Sequence, residues 1–565
     1  MNIRCTCRRG DEWILSRSLV VEFVAGTERN GAKVGKFLTE KLVFLGVIFL
    51  LMSSNCLFSK EAIEPVCWFG DHMVLQRNMA VPVWGWANPG EEITVKIAGQ
   101  SVQAPVEKDG SWKVTLAPME PGGPFDMEIS GASETKVIRD VLIGDVWICG
   151  GQSNMWRPFI DVDQKVPEKD WKMMPGPDGE HYPKSDQGLE QIRLYHVGHN
   201  GSADPVQDIP RAPTWGPFER TRMNRDIAPE SWRVCSPDAL RNFSRLGFFF
   251  GEAIQREIGV PVGLIVNAMG SSSINQWASA EVIDKLLERP PSPIKPVRYK
   301  ENREEKYSGL FNGMVYPLIG FPIKGFIWWQ GETDTIDKEP FDIEAYPRGT
   351  FKEVITDYRK RWGQGDFPFL FVQLQNHFAR GKGMNVRDYQ MQALELPNTA
   401  MVVTVDIAGG VHPLNKYDIS QRLVQAALAV AYDRPLLFSG PIYQSAKVEG
   451  DQIRISFSHV GAGLKVGTGL FNNKLKPLSE FSDSNAPFEI QSAEGKWVKA
   501  DAKIDGDTVV LSAPGVTNPQ FAAYAMSRTD PENTVLQTTL FNAEGLPASP
   551  FDSQTWTGLK DPKSP

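Results

Sequence analysis

Ser153 stands directly after two glycines that end an apolar run, in Asp145-Val146-Trp147-Ile148-Cys149-Gly150-Gly151-Gln152-Ser153-Asn154-Met155-Trp156. The β-forming residues read as a buried strand and the glycines as a tight turn, so the serine is delivered at the start of the next element. A hydroxyl placed there can share its turn with exposed backbone N–H groups, as a nucleophile beside an oxyanion hole does. The same residues also suit a plain polar turn after a strand. A serine nucleophile needs a general base. The candidate is His412, in Val411-His412-Pro413-Leu414-Asn415-Lys416, just ahead of a helical stretch. Gln330 and Glu332 follow a strand-like run behind Trp328 and Trp329. They read either as site groups or as a buried polar pair. The elbow G-x-S-x-G is absent, because Met155 stands where its second glycine would be.

These residues need elements to carry them. From Val141 to about Asp433 strand and helix patterns alternate. Val262 to Val266 is a strand leading into Asn267-Ala268-Met269-Gly270-Ser271, and Gly325 to Trp329 a strand leading into Gln330-Gly331-Glu332. Phe369 to Leu374 and Met401 to Val405 are further strands. The spacing of Phe243, Gly247, Phe250, Ile254 and Ile258 predicts a helix, with Ser236-Pro237-Asp238 upstream as start signals. Helices also fit Tyr346 to Trp362 and Lys416 to Tyr432. Repeated βα units imply a mainly parallel sheet with helices on both faces. In such sheets the site lies beyond the carboxyl ends of the strands, where Ser153, Gly270, Gln330 and Asp406 could converge. Residues 157–232 are Pro-, Asp- and Gly-rich and read as long loops near the nucleophile strand, shaping a substrate rim or forming a disordered insertion.

The flanks differ. Short strand-like runs at Ala80 to Trp86 and Ile93 to Ile97, punctuated by Asn88-Pro89-Gly90 and Lys108-Asp109-Gly110, predict a small β domain over 60–140. β patterning returns after 435, with Gln452 to Phe457 alternating, and predicts a second one over 435–565. The catalytic portion is then 141–434. Residues 1–59 read as a leader: Lys36 and Lys41 precede the apolar run Leu42 to Met52, and Ser53-Ser54-Asn55-Cys56 follows. That is a signal-peptide pattern and predicts export, periplasmic or extracellular. The run is short for a transmembrane helix, so no stable membrane insertion is expected after processing.

The net charge of -8 argues against nucleic acid as a main partner. The six cysteines would leave Cys67, Cys149 and Cys235 after leader removal, an odd and widely spaced set that is no disulfide scaffold. The seven histidines are scattered without HExxH or other metal-site spacing, so neither metal nor cofactor is expected.

Three blocks occur in order: Gly151-Gln152-Ser153-Asn154-Met155, Trp328-Trp329-Gln330-Gly331-Glu332, and His412-Pro413-x-Asn415-Lys416. Together they resemble the sialate O-acetylesterase family of SGNH-type hydrolases. Gly70-Asp71-His72-Met73-Val74-Leu75-Gln76-Arg77 is similar to that family's opening, and Phe541 to Phe551 to its end. The resemblance implies an SGNH-hydrolase-like α/β/α sandwich with a mainly parallel sheet, flanked by N- and C-terminal β-sandwich-like domains. It also implies a metal-independent carbohydrate ester hydrolase whose partner is an acetylated carbohydrate, a sialic acid or an acetylxylan-type polysaccharide. A catalytically weak sugar-binding protein of the same fold is the alternative. By position, Ser153 matches the family's nucleophile and His412 its base. The Ser153 N–H, the Gly270 N–H and Gln330 match the oxyanion hole. Two departures stand out. Met269-Gly270-Ser271 replaces the usual Trp-Gly-Gly, and Gly409 and Gly410 occupy places where related enzymes often carry an acid before the histidine. Glu332 is the first choice for the orienting acid, and Asp406 the second.

Overall fold

The computed structural model describes residues 63–132, 134–159, 188–208, 231–287, 307–335, 350–375, 382–407, 410–413, 415–467, 487–526, 528–529 and 539–556. The expected leader, the 160–187 and 209–230 portions of the Pro-rich stretch, and Gly409 lie outside the described residues.

The site is carried by a parallel sheet. Its strands are β1 (Thr135–Gly151), β2 (Ile192–His196), β3 (Val262–Ala268), β4 (Gly325–Trp329), β5 (Phe369–Val372) and β6 (Thr399–Val402), with Arg233–Val234 added antiparallel at the β2 edge. Their order is β2-β3-β1-β4-β5-β6, every neighbouring pair parallel. The chain leaves β1 for β2 and β3 on one side and then crosses to β4 on the other. The carboxyl end of β1 is therefore the switch point at which open α/β sheets form their crevice.

Alternation along the strands divides the apolar residues between two faces. Trp147, Cys149, Ile327, Trp329, Leu370 and Val372 belong to one core. Its cover is α2 (Arg245–Ile258) and α4 (Lys416–Val430), which contribute Phe250, Ile254, Leu423 and Ala427. Val146, Ile148, Phe326, Trp328, Phe369 and Phe371 belong to the other core, with α3 (Thr350–Trp362) supplying Phe351, Ile355 and Tyr358. Trp328 and Trp329, adjacent in sequence, thus fill opposite cores.

The expected helix around Phe243 to Ile258 divides in two. Ser236 caps a single turn, Pro237–Leu240, and α2 restarts after Ser244, whose Oγ accepts from the Gly247 N–H. The reading of 157–232 as loops is corrected at Ile192–His196, which is an interior strand of the sheet. Five residues interrupted by Arg193 carry little strand signal. That charge is buried, and its Nη2 lies 3.0 and 3.1 Å from the two carboxylate oxygens of Asp140.

The β runs expected at both ends form antiparallel sheets. Strand β1 runs through the expected 140/141 boundary, its first half pairing with Gly122–Ser130 and its second half with the parallel sheet. The opening motif joins it there. Gln76 accepts the Val146 N–H at 2.8 Å, and Gln76 Nε2, Arg77 Nε and Arg77 Nη2 all donate to the Asp145 carboxylate at 2.9 Å. In the C-terminal region Gln373 Nε2 donates to Ser549 Oγ at 3.2 Å, tying the closing Ala-Ser-Pro-Phe segment to the end of β5. Cys67, Cys149 and Cys235 are buried. Among the described residues no helix is long and apolar enough to cross a membrane.

Candidate active site

Strand β1 ends as its sequence demands. A Cβ on Gly150 would lie 2.6 Å from the Trp328 ring. One on Gly151 would lie 2.1 Å from the Trp329 carbonyl, and Gly151 adopts φ 132°. Only glycine fits either constraint at 151. The turn is closed by the Gln152 N–H donating to Trp329 O at 2.9 Å and the Met269 N–H donating to Gly151 O at 3.0 Å. The short helix α1 (Ser153–Trp156) then begins at the candidate nucleophile.

His412 Nε2 lies 2.9 Å from Ser153 Oγ. The two residues are 259 apart in sequence and both are partly exposed. Gly270 closes the third side. A Cβ built on it would meet Ser153 Cβ at 3.8 Å and nothing nearer. Ser271 follows at φ 57°, which turns the chain away immediately after Gly270.

The other expected site groups are placed differently. Gln330 does not aim its carboxamide at Ser153. Nε2 donates to Ser272 O at 3.1 Å and to Asp334 Oδ2, which takes both of its hydrogens. Glu332 is buried and accepts from Asn154 Nδ2; among the described residues it makes no hydrogen bond to the imidazole. Burial pushes its carboxyl above the usual range, against the opposing effects of the Asn154 bond and the Lys416 charge. Asp406 is held by both arms of Arg422, at 2.9 and 2.6 Å, and likewise makes no bond to His412. At the far side of the ring, His412 Nδ1 lies 3.1 Å from Arg157 Nη2; a guanidinium only donates, so this contact is a hydrogen bond in the tautomer that carries its proton on Nε2 and not in the other. Neither acid was therefore seen in the orienting place expected for it.

Four residues not singled out by sequence reasoning shape the site. Asn154, 1 % exposed, donates from Nδ2 to Glu332 and to Val411 O at 2.9 Å, and accepts from Lys416 Nζ at Oδ1. Lys416 lies 3.9 Å over the Trp329 ring centroid. Asp334 accepts Ser273 Oγ at 2.7 Å and the Ile274 N–H at 3.2 Å, as well as Gln330. Burial raises its carboxyl to about 7. Arg157 is the fourth. Asn154 and Lys416 lie inside the quoted motif blocks; the signal was a polar residue next to the nucleophile and a helix-starting lysine, and neither type by itself announces a network. Among the described residues no cluster of three or more His, Cys, Asp or Glu side chains could hold a metal ion.

Residues 231–429 match the family model described as carbohydrate esterase, sialic acid-specific acetylesterase. That span includes Gly270, Gln330, Glu332, Asp406 and His412 but not Ser153. The chain is 26% identical over 463 residues to the sialate O-acetylesterase of Mus musculus, covering 70% of this chain and 79% of the mouse protein. It is 26% identical over 411 residues to the human sialate O-acetylesterase, covering 66% and 72%. The crystal structure of a carbohydrate acetylesterase from Xanthomonas citri superposes with a TM-score of 0.68 at 28% identity, covering 87% of this chain and 100% of that one. The resemblance carried by the three motif blocks is thereby shown: the chain is similar to sialate O-acetylesterases over about two thirds of its length, and residues 231–429 match the model of a carbohydrate esterase, sialic acid-specific acetylesterase.

Proposed function

We propose that the protein hydrolyses O-acetyl esters of sugars by a serine mechanism, in an SGNH-like α/β/α core flanked by two β domains. The observation that carries this reading is the 2.9 Å approach of His412 Nε2 to Ser153 Oγ at the switch point of a parallel sheet. The relatives' sialate O-acetylesterase and carbohydrate acetylesterase activities support the substrate class.

The chemistry follows from these positions. As Ser153 Oγ attacks the acetyl carbonyl carbon, His412 Nε2 takes its proton. The negative charge on the carbonyl oxygen is met by the N–H groups of Ser153 and Gly270. The intermediate collapses to acetyl-Ser153, and the sugar oxygen leaves with the proton from His412. Water then attacks the acetyl group, giving a proton to His412, which returns it to Ser153 Oγ as that oxygen leaves; acetic acid departs and ionises to acetate. Gln330, with both amide hydrogens engaged, serves in this scheme by holding the loop after Gly270.

The test is hydrolysis of an aryl acetate and of a panel of acetylated sugars, including O-acetyl sialic acids and acetylxylan. Acetate release from at least one sugar class is expected. An absence of turnover on all of them, with folded protein, points to the sugar-binding alternative. Export is proposed from the leader pattern, Lys41 followed by Leu42 to Met52. Full-length protein with Met1 intact in the cytosolic fraction overturns it.

A further inference from the structure

We propose that Asn154 is a positioning residue of the Ser153–His412 pair, a clamp that fixes the base loop by holding the Val411 carbonyl. This rests on the esterase reading above. Asn154 follows the nucleophile directly, and its Nδ2 reaches Val411 O, in the peptide that enters His412, at 2.9 Å. Gln375 Nε2, beyond the end of β5, reaches the same oxygen at 2.8 Å. Two buried carboxamides from different elements therefore converge on one carbonyl. Side-chain packing does not hold that residue, because Val411 is 38 % exposed. Its backbone oxygen is where the loop is fastened.

The orientation of the Asn154 amide is determined by charge. Oδ1 accepts from the Lys416 ammonium, and the second Nδ2 hydrogen goes to the Glu332 carboxylate. Flipping the amide would set Oδ1 against Glu332 and Val411 O and turn the NH2 group toward an ammonium. Three contacts would become unfavourable at once. Lys416 is itself seated on the Trp329 ring. One carboxamide thus links the nucleophile, the base loop and the Gln-Gly-Glu loop, and its geometry sets the distance over which the proton moves. A displacement on the order of 1 Å between reacting groups costs about 100-fold in rate.

The experiment compares wild type, Asn154→Ala and Gln375→Met on an aryl acetate at 20 °C, with circular dichroism establishing that each is folded. It also measures the rate at which a small organophosphorus ester inactivates Ser153. The expected result is a loss of about 10- to 100-fold in kcat with KM within about twofold, and an equal loss in the inactivation rate. Variants whose melting temperature falls while kcat and inactivation stay within about twofold of wild type overturn the proposal, because that is how a merely structural residue behaves. Should Asn154→Ala not fold, Gln375→Met decides alone, since it approaches the same carbonyl from another element. A wild type inert to both reagents overturns the esterase reading and this proposal together; an active wild type matched by Asn154→Ala overturns this proposal only.

Discussion

Lys416 Nζ lies 3.9 Å over the ring of Trp329 and donates to Asn154, so three sequence blocks far apart in the chain meet at one buried ammonium. Lys416 is 1 % exposed. A charge in that position needs compensation, which the aromatic face, the Asn154 carbonyl and the neighbouring Glu332 supply. The blocks that carry the family resemblance are therefore also a physical unit. Their residues are constrained by one another as well as by the chemistry.

Ser153→Ala is expected to abolish turnover and leave the fold intact. The hydroxyl sits at the start of a four-residue helix and its hydrogen-bond partner is His412 Nε2, so its removal costs little packing. The covalent step is lost with the oxygen. Near-native kcat in this variant, measured on an aryl acetate, ends the serine mechanism.

The Glu332 variants separate two roles. Gln at 332 retains an oxygen to accept from Asn154, so a residue acting through that bond keeps kcat within about tenfold as Glu332→Gln and loses more as Glu332→Ala. An orienting acid instead loses several orders of magnitude as the amide, about 10⁴-fold in the serine-protease case. The measured ratio of the two variants' kcat values decides between them.

Much of the fold was legible because its signals are local. The run Gly325 to Trp329 and the glycines at 150 and 151 mark their own strand ends, and the Gly151 contact with Trp329 O explains why no larger residue stands there. Strand β2 was not legible, because Arg193 breaks its apolar pattern and the partner that neutralises it, Asp140, is 53 residues away. The site divides the same way. Ser153 and His412 could be named from residue type and motif. The acid could not, since Glu332 and Asp406 both follow strand ends and only three-dimensional contacts show them committed to Asn154 and Arg422. The Asn154 clamp joins residues 154, 332, 375, 411 and 416, and no spacing rule connects those positions.

Arg157 is expected to tune the base. Its guanidinium lies 3.1 Å from His412 Nδ1 and carries only donors. A proton taken up at Nε2 makes an imidazolium beside that cation, and like charges disfavour the charged form. Arg157→Gln removes the repulsion, so the acidic limb of the kcat/KM profile should move to higher pH. An acidic limb at the wild-type position shows that the guanidinium does not act on the ring in solution.

Asp334 gives the stability of the protein a pH dependence of definite sign. It is buried at 3 % exposure, and desolvation raises its carboxyl to about 7 from 3.8, outweighing the opposing bonds from Gln330, Ser273 and Ile274, while Glu332 raises it further. Below the unfolded value the group is protonated in both states and contributes nothing. Between the two values the folded state holds the proton and the unfolded state does not. The folded state therefore binds more protons, and stability falls as pH rises across that window, by about 1.4 kcal/mol per unit at most. Above about 7 the group is ionised in both states and the cost is constant. Asp334→Asn removes this dependence. It also replaces an acceptor of the Gln330 and Ser273 hydrogens, so its melting temperature is expected to start below that of wild type at pH 4. The informative quantity is the difference between the two melting temperatures. It should shift in favour of the variant as pH rises from 4 to 7 and level off above that. A difference that is flat across this range means that Asp334 is ionised throughout in the folded protein, held as a carboxylate by its three donors.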